Sequence, residues 1–466
     1  MIYLTKVISN ACLSILNCGL CLSAINLARK MVVADFKICP RGYARCKKEN
    51  WYFATFYFTL YASALFGCLI SLYFKDANRR KRMMVSHYLY IIGSLLSLYS
   101  SPHIVIFLFS QAFFGLAIGC SVVTAPSYVL EYSPKEHQKF YGFYIQIFFA
   151  VGILISYIFG ASYISIRLKN QKTWHWFVTL MYKLHFAMPL IFSLVSLLLF
   201  YFVFTMDTPL HLYESKKFKK FDKLKTKINV ADFDEKEEYH KHKSTYEVSL
   251  LAKEVSIISL FQNDTLKKTS FIGMLLCFLY SANGSFLFLN TIFLFFHALS
   301  NTLANTLASV GFILLYLISS IVCTQFVDKF EKKNMLICGL LIQVISVTCL
   351  TGSYFIDFTT VVHKIMLIMA IAFYLIGLSL GFGHVIWTLV FDLFPKESKV
   401  VGAFFSYYSL FIGALFISLI LEFINTKYYA YFFILCIISL SISIFAISKF
   451  YKDNVVIIAR HPSIDE

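Results

Sequence analysis

Apolar residues run in long blocks, and short polar segments separate them. Most blocks hold about 20 residues, the length an α-helix needs to cross the hydrocarbon core of a bilayer. The pattern predicts twelve spans: Leu4–Ala28, Trp51–Phe74, Met84–Ser100, His103–Ser127, Phe140–Tyr163, Leu180–Phe204, Ser270–Ala298, Leu303–Val327, Met335–Ile356, Ile365–Phe391, Val400–Glu422 and Tyr429–Phe450. The strand alternation of an outer-membrane barrel is not visible. Residues 206–268 contain no apolar block and mix Lys with Glu, the pattern of a linker with amphipathic helix. The expected organisation is a six-helix bundle over 1–205, a cytoplasmic linker over 206–268, a second bundle over 269–450 and a cytoplasmic tail over 451–466. An even number of spans puts both termini on one side. No cleavable signal peptide is expected, because the first apolar block starts almost at Met1 and lacks a small-residue cleavage site.

The polar turns repeat. The fourth span is followed by Glu131, Pro134, Lys135 and Glu136, and the tenth by Asp392, Pro395, Lys396 and Glu397, at the same spacing. The second span is followed by Asp76, Arg79, Arg80 and Lys81, and the eighth by Asp328, Glu331, Lys332 and Lys333. Two halves with the same turns in corresponding places is the layout of a two-fold repeated carrier. Ion pairs among Asp76, Arg80, Glu131, Asp328, Lys332, Asp392 and Lys399 can latch the helix ends and break when the carrier opens. The same charges can also serve only to fix topology and loop structure.

Composition narrows this further. Of 466 residues 59% are hydrophobic and 14% charged, and the mean hydropathy is +0.70, too apolar for a soluble protein of this size. The formal charge of +17 would point a soluble protein toward nucleic acid. Here the positive-inside rule accounts for it, since Lys and Arg crowd 75–82, 216–268 and 329–333, which places those segments in the cytoplasm and leaves no nucleic-acid partner. The basic residues between Arg29 and Lys48 run against that orientation, and the repeated turns decide it. Ten of the 12 cysteines fall in apolar spans as packing residues. Cys39 and Cys46 share the first outside loop, either as a disulfide or as two free thiols.

No acid falls in the middle of a predicted span, and a carrier coupled to protons needs a protonatable group exposed alternately to either side. The residues therefore point to a passive facilitator, with His297 and His384 as either hydrogen-bonded structural groups or proton carriers. Gln146 in the fifth span is the first candidate for solute contact, because an amide both donates to and accepts from a hydroxyl. Trp387 follows two glycines that make the tenth span irregular, and irregular backbone inside a membrane is tolerated where it lines a cavity. Tyr280, Asn283, Asn290 and Thr291 fall broadly on one face of the seventh span, as a solute-lining stripe or as interhelical packing. No metal cluster, nucleophile triad or phosphate loop stands out, so neither an enzyme nor a cofactor is expected.

At these residues the chain resembles the sugar porter family of the major facilitator superfamily. Pro126, Tyr128, Glu131 and Pro134 match the family turn Pro-x-Tyr-x-x-Glu-x-x-Pro, with Gln138 and Lys139 in place of its Arg-Gly. Gln146, Gly152 and Gly160 match the family's fifth span, and Gly381, Gly383 and Trp387 its tenth. The turns at Asp76 and Asp328 resemble Asp-Arg-x-Gly-Arg-Arg, and Asp207 to Leu210 resembles the segment after the sixth span. The Phe-, Tyr- and Lys-rich usage and the cysteine pair are similar to hexose transporters of apicomplexan parasites. The resemblance implies an all-α membrane protein with twelve transmembrane helices in two pseudo-symmetric six-helix halves, alternating access, and a hexose-type substrate contacted by Gln146.

Departures from the family concern the pocket. The seventh-span glutamines and asparagine become Tyr280, Ser281 and Phe286; Tyr316 stands at an eighth-span asparagine, and Leu410 marks an apolar eleventh-span region. Gln111 replaces the fourth-span arginine, and Cys21 replaces the acid of proton-coupled members. The expected protein is a hexose facilitator in the plasma membrane, with both termini cytoplasmic and a small sugar and the lipid bilayer as its partners. A carrier of another small organic solute, such as a polyol or nucleoside, and a non-transporting sensor are the alternatives.

Overall fold

The computed structural model describes residues 2–39, 47–74, 77–134, 137–164, 171–228, 257–286, 288–289, 302–326, 329–355, 361–394, 398–424 and 428–457. The first six-helix group is built from α1 (Ile2–Leu27), α3 (Lys47–Tyr73), α4 (Arg79–Leu98), α5 (Ile104–Tyr132), α6 (Gln138–Ile164) and α7 (Gln171–Leu198), with a short α2 (Arg29–Asp35) after α1. Small helices α8 (Pro209–Glu214), α9 (Phe218–Ile228) and α10 (Ile257–Gln262) follow. The second group comprises α11 (Asp264–Ala282), α12 (Thr302–Phe326), α13 (Lys332–Ser353), α14 (Val361–Leu380), α15 (Phe382–Asp392), α16 (Lys399–Phe423) and α17 (Tyr429–Ile457). Ten of the described segments are long and apolar enough to cross a membrane, α14 and α15 counting as one. The third and seventh spans fall outside that set, because α4 opens on four basic residues and α11 opens on Asp264, Lys267 and Lys268.

Helix α4 starts at Arg79, earlier than the predicted Met84, and a distant carboxylate explains the extension. The Asp207 Oδ1 accepts the backbone N–H of Arg80 at 3.0 Å and that of Thr208 at 2.8 Å. A charged acceptor at the first turn does the work of an N-cap and complements the helix dipole. The Arg80 side chain runs the other way and donates to the carbonyls of Phe200, Phe204 and Thr205 at 3.2, 3.4 and 2.8 Å. Those carbonyls lie in or just past the single π turn, Leu199–Val203, that follows α7, and need donor partners.

Two helices of each group carry most of the contact between the groups, with α5 adding a smaller contact to α15 and α16. Helix α3 packs on α16, and α6 packs on α12, with α15 also against α6. Moving each member of the first pair to the corresponding span of the other half, second to eighth and eleventh to fifth, gives the second pair, so the sequence repeat is expressed as a two-fold exchange of the contacts. Within the first group, α3 and α5 approach through glycines. A Cβ on Gly115 would lie 2.1 Å from the Leu60 carbonyl oxygen, and one on Gly119 2.0 Å from that of Ala64. Backbones this close need residues without a side chain. Large apolar groups such as Phe66, Phe109 and Ile345 point outward, toward where lipid would lie.

Both irregular spans break where the sequence has glycine. The tenth divides at Gly381 into α14 and α15, and the seventh ends α11 at Ala282 with Gly284 at φ +85. That φ suits glycine and few other residues. The single-face stripe expected along the seventh span is therefore interrupted after Tyr280, because the backbone turns before the next helical residues.

Candidate functional site

Helix α6 presents one face to the second group, and the residues on it recur at helical spacing: Gly142, Gln146, Phe149 and Tyr157. Gln146 is fully buried and sits midway along that face. Its Nε2 donates to the Tyr316 hydroxyl of α12, and its Oε1 accepts from the Trp387 indole N–H of α15 at 2.8 Å. One carboxamide thus ties the first group to two helices of the second. Phe149 lies edge-on to Phe286 and tilted against Trp387, with ring centroids 6.5 and 6.2 Å apart. Tyr157 donates to the Leu289 carbonyl at 3.1 Å, beyond the break in the seventh span.

The structure brings Gln146 and Trp387 together as direct partners. Tyr280 is buried nearby, its ring edge-on to Phe286 and Phe382, and its hydroxyl has no hydrogen-bond partner among the described residues. A buried hydroxyl left unpaired carries a desolvation cost that a bound solute can remove. Asn283 faces elsewhere. Its Nδ2 donates to Ser443 at 3.2 Å, its Oδ1 accepts from Ser439 at 2.8 Å, and its carbonyl accepts from Tyr374 at 3.0 Å. These bonds anchor the broken seventh span to α17 and α14. Asn290, Thr291 and His297 lie outside the described residues, as does the side chain of His384.

Two ends of the bundle carry charge clusters. At one, Arg29 on α2 donates from Nε to Glu49 of α3 at 2.7 Å and from both terminal nitrogens to the Glu422 carboxylate of α16 at 2.9 Å each. The guanidinium also lies 4.3 Å from the Phe53 ring centroid. All three charges are nearly buried, with side-chain exposures of 9%, 8% and 9%. Burial pulls the Arg29 pKa down, and Glu422 together with Glu49 more than offsets it, so the guanidinium stays charged. Because Glu422 belongs to the second group, the bidentate pair closes the two groups together at this end. Trp51 against Phe423, with centroids 4.8 Å apart, closes the same seam. Arg29, whose charge ran against the orientation expected from sequence, is thus buried in a paired role. Asp35 accepts from Tyr182 and from Ser101 at 3.0 Å, which fixes α2 in place. Cys39, at the end of this segment, is disulfide-bonded, the other ten described cysteines are free, and Cys46 lies outside the described residues.

At the opposite end, Glu131 pairs with Arg79 at 3.2 Å and accepts from Thr208 at 2.7 Å. His211 bridges Arg79 and Asn78 at 3.4 and 2.7 Å, and burial holds its pKa below the ordinary imidazole value. Among the described residues the Arg80 guanidinium, expected from sequence to take part in the gate, serves the backbone carbonyls beside the π turn. Lys332 and Lys399 open α13 and α16. Asp76, Asp328 and the Asp392 side chain lie outside the described residues.

Sequence reasoning missed Tyr316 as a contact residue, although its place at a family asparagine was visible. It also missed the Arg29–Glu422 closure, whose two charges lie 393 positions apart. His87 and His185, on α4 and α7, went unremarked too. His87 contacts Ser193 and Ser196 at 3.4 and 2.9 Å, and His185 contacts Ser156 at 2.7 Å, all inside the first group.

A model of the family described as "Sugar (and other) transporter" matches residues 12–455. Hexose transporter 1 of Plasmodium vivax (strain Brazil I) is 25% identical over 400 residues, covering 84% of this chain and 78% of that protein. Hexose transporter 1 of Toxoplasma gondii is 22% identical over 450 residues, covering 94% and 78%. Among solved structures, the xylose transporter XylE from E. coli in a partially occluded inward-open conformation superposes with a TM-score of 0.74 at 17% identity, covering 96% of this chain and 99% of that one. The shared fold is the twelve-helix major facilitator arrangement. Matched along nearly its whole length, the chain belongs to the sugar (and other) transporter family.

Proposed function

We propose that this protein is a facilitative carrier of a hexose-type monosaccharide, working by alternating access. The observation that carries the reading is the Gln146 carboxamide, buried midway along α6 and hydrogen-bonded to Trp387 across the contact between the two groups. A polar group there can exchange its protein partners for solute hydroxyls while either end of the bundle opens. Trp387 supplies an indole face and N–H, and Tyr280 a hydroxyl with capacity to spare. The hexose class rests on the two relatives named hexose transporter and on the capacity of a buried carboxamide to donate to and accept from sugar hydroxyls. Asn290 and Thr291, outside the described residues, keep the solute-contact role expected from sequence as part of this proposal, and Asn283 acts through its anchoring of the break in the seventh span.

The Arg29 end is assigned to the outside and the Glu131 end to the cytoplasm, with both termini cytoplasmic and the plasma membrane as the site of action. Arg29, Glu49 and Glu422 then form the outer gate. Asp76, Arg80, Glu131, Asp328, Lys332, Asp392 and Lys399 form the inner one, with Glu131 already held by Arg79 and Thr208. Among the described residues, acids within helices lie near helix ends or in the short α2 and α9, and the buried histidines of the long helices bond inside one group, His87 and His185 to serines of the first and His363 to the Ser353 carbonyl of the second. This favours passive transport over proton coupling. The test is uptake of labelled glucose into liposomes holding purified protein, at two pH values without an imposed gradient and then under an imposed proton gradient. Saturable uptake that ignores pH and stops at equilibrium is expected. Accumulation above equilibrium under a proton gradient would overturn passivity, and absence of uptake by folded protein would overturn the hexose assignment.

A further inference from the structure

Each side of the Gln146 amide is already occupied in this conformation. The oxygen takes the Trp387 N–H, and the nitrogen gives a proton to Tyr316, a residue fully buried on α12. The close approach is built into the backbone: a Cβ on Gly383 would lie 3.4 Å from Gln146 Nε2, so α15 crowds the amide from the side opposite its own helix. A phenol oxygen accepting from a buried amide has the chemistry of a sugar hydroxyl accepting from the same amide. We infer that the Tyr316 hydroxyl stands in the place of one solute hydroxyl, which makes Tyr316 the residue that sets how this carrier discriminates among monosaccharides.

The inference rests on the carrier reading above and adds a consequence to it. A sugar hydroxyl that takes the Gln146 proton must first displace Tyr316, so one hydrogen bond is exchanged for another with little net gain. A sugar lacking that hydroxyl leaves the Tyr316 bond intact and loses little. The wild-type carrier is thereby blind to one ring hydroxyl and weak in its affinity for the complete sugar. Removing only the phenol oxygen reverses both properties. Gln146 in the empty carrier then holds an unpaired buried donor, which the complete sugar satisfies and the deoxygenated one does not.

The test compares wild type with Tyr316→Phe for binding of glucose and the set of singly deoxygenated glucoses, read by quenching of tryptophan fluorescence and by competition for uptake. Tyr316→Phe is expected to bind glucose about fivefold more tightly, the scale of one net hydrogen bond. That gain should be lost for one of the deoxygenated sugars and kept for the others, with KM changed and the maximal rate not raised. Tyr316→Leu, which also removes the oxygen, carries the same expectation if Tyr316→Phe melts too low to assay. Unchanged or weaker glucose binding, or an equal gain for every deoxygenated sugar, overturns the inference while leaving a wild type that transports glucose as a hexose carrier. A folded wild type that binds no monosaccharide overturns both.

Discussion

At the scale of single residues, Gln146 concentrates the coupling between the two groups in one side chain. Replacing it with Ala leaves the Trp387 N–H and the Tyr316 hydroxyl without this partner in a buried site, at about 1–3 kcal/mol for each group left unsatisfied. Gln146→Ala and Trp387→Phe are each expected to lower the thermal midpoint of the purified protein. The double variant should fall short of the sum by roughly 1 kcal/mol, because residues in direct contact couple on that scale. Strict additivity in the melting data would mean that the 2.8 Å bond between them contributes nothing to the closed conformation. The position of Gln146 was legible in the chain, since it falls at the spacing of the family's fifth-span glutamine. Its partner Tyr316 was not, because hydrogen bonding across two groups depends on how their helices face each other.

At the scale of elements, α6 is one of the helices on which the first group meets the second, and its glycine at 142 sets how closely α15 can approach. A Cβ at Gly142 would come 2.2 Å from Thr388 Cγ2. Gly142→Ala is therefore expected to slow uptake by roughly the effect of 1–3 kcal/mol of overpacking in the closed conformation. Thr388→Ala in the same chain removes the opposing methyl and should restore the rate. Failure of the second change to rescue the first, with both variants folded, would place the effect elsewhere on α6. The seventh span shows the complementary case. Its stripe of polar residues read as continuous helix, yet Gly284 at φ +85 turns the backbone, and Asn283 spends its amide on Ser439 and Ser443. Periodicity assumes an unbroken helix, and a single left-handed glycine suffices to defeat it.

At the scale of the whole molecule, the Arg29 cluster holds one end of the two groups shut. Replacing Arg29 with Met leaves Glu49 and Glu422 buried with no counter-charge between them, and breaking a buried pair in this way costs about 3–5 kcal/mol. The cost falls on the closed end alone, so the population should shift toward conformations open at that end. The measurement is maleimide labelling of Tyr57→Cys, a position buried beside the cluster, with the unmodified cysteine background as reference. Labelling should accelerate at least tenfold when Arg29→Met is added, the effect of about 1.4 kcal/mol. An unchanged rate would show that the apolar seam at Trp51 and Phe423 closes the end without the charges.

The sequence by itself determined the membrane class, the number of spans, the repeat and the place of Gln146 and Trp387. Each of these is a local property, readable from the length of an apolar block or the spacing of residues along one helix. Only the tertiary structure decided that Arg29 reaches Glu422, that Asp207 caps α4, that Asn283 turns toward α17 and that Tyr316 occupies the Gln146 amide. Those pairings join residues far apart in the chain, and the energy that selects them, the cost of leaving a buried polar group unpaired, exists only once the helices are packed.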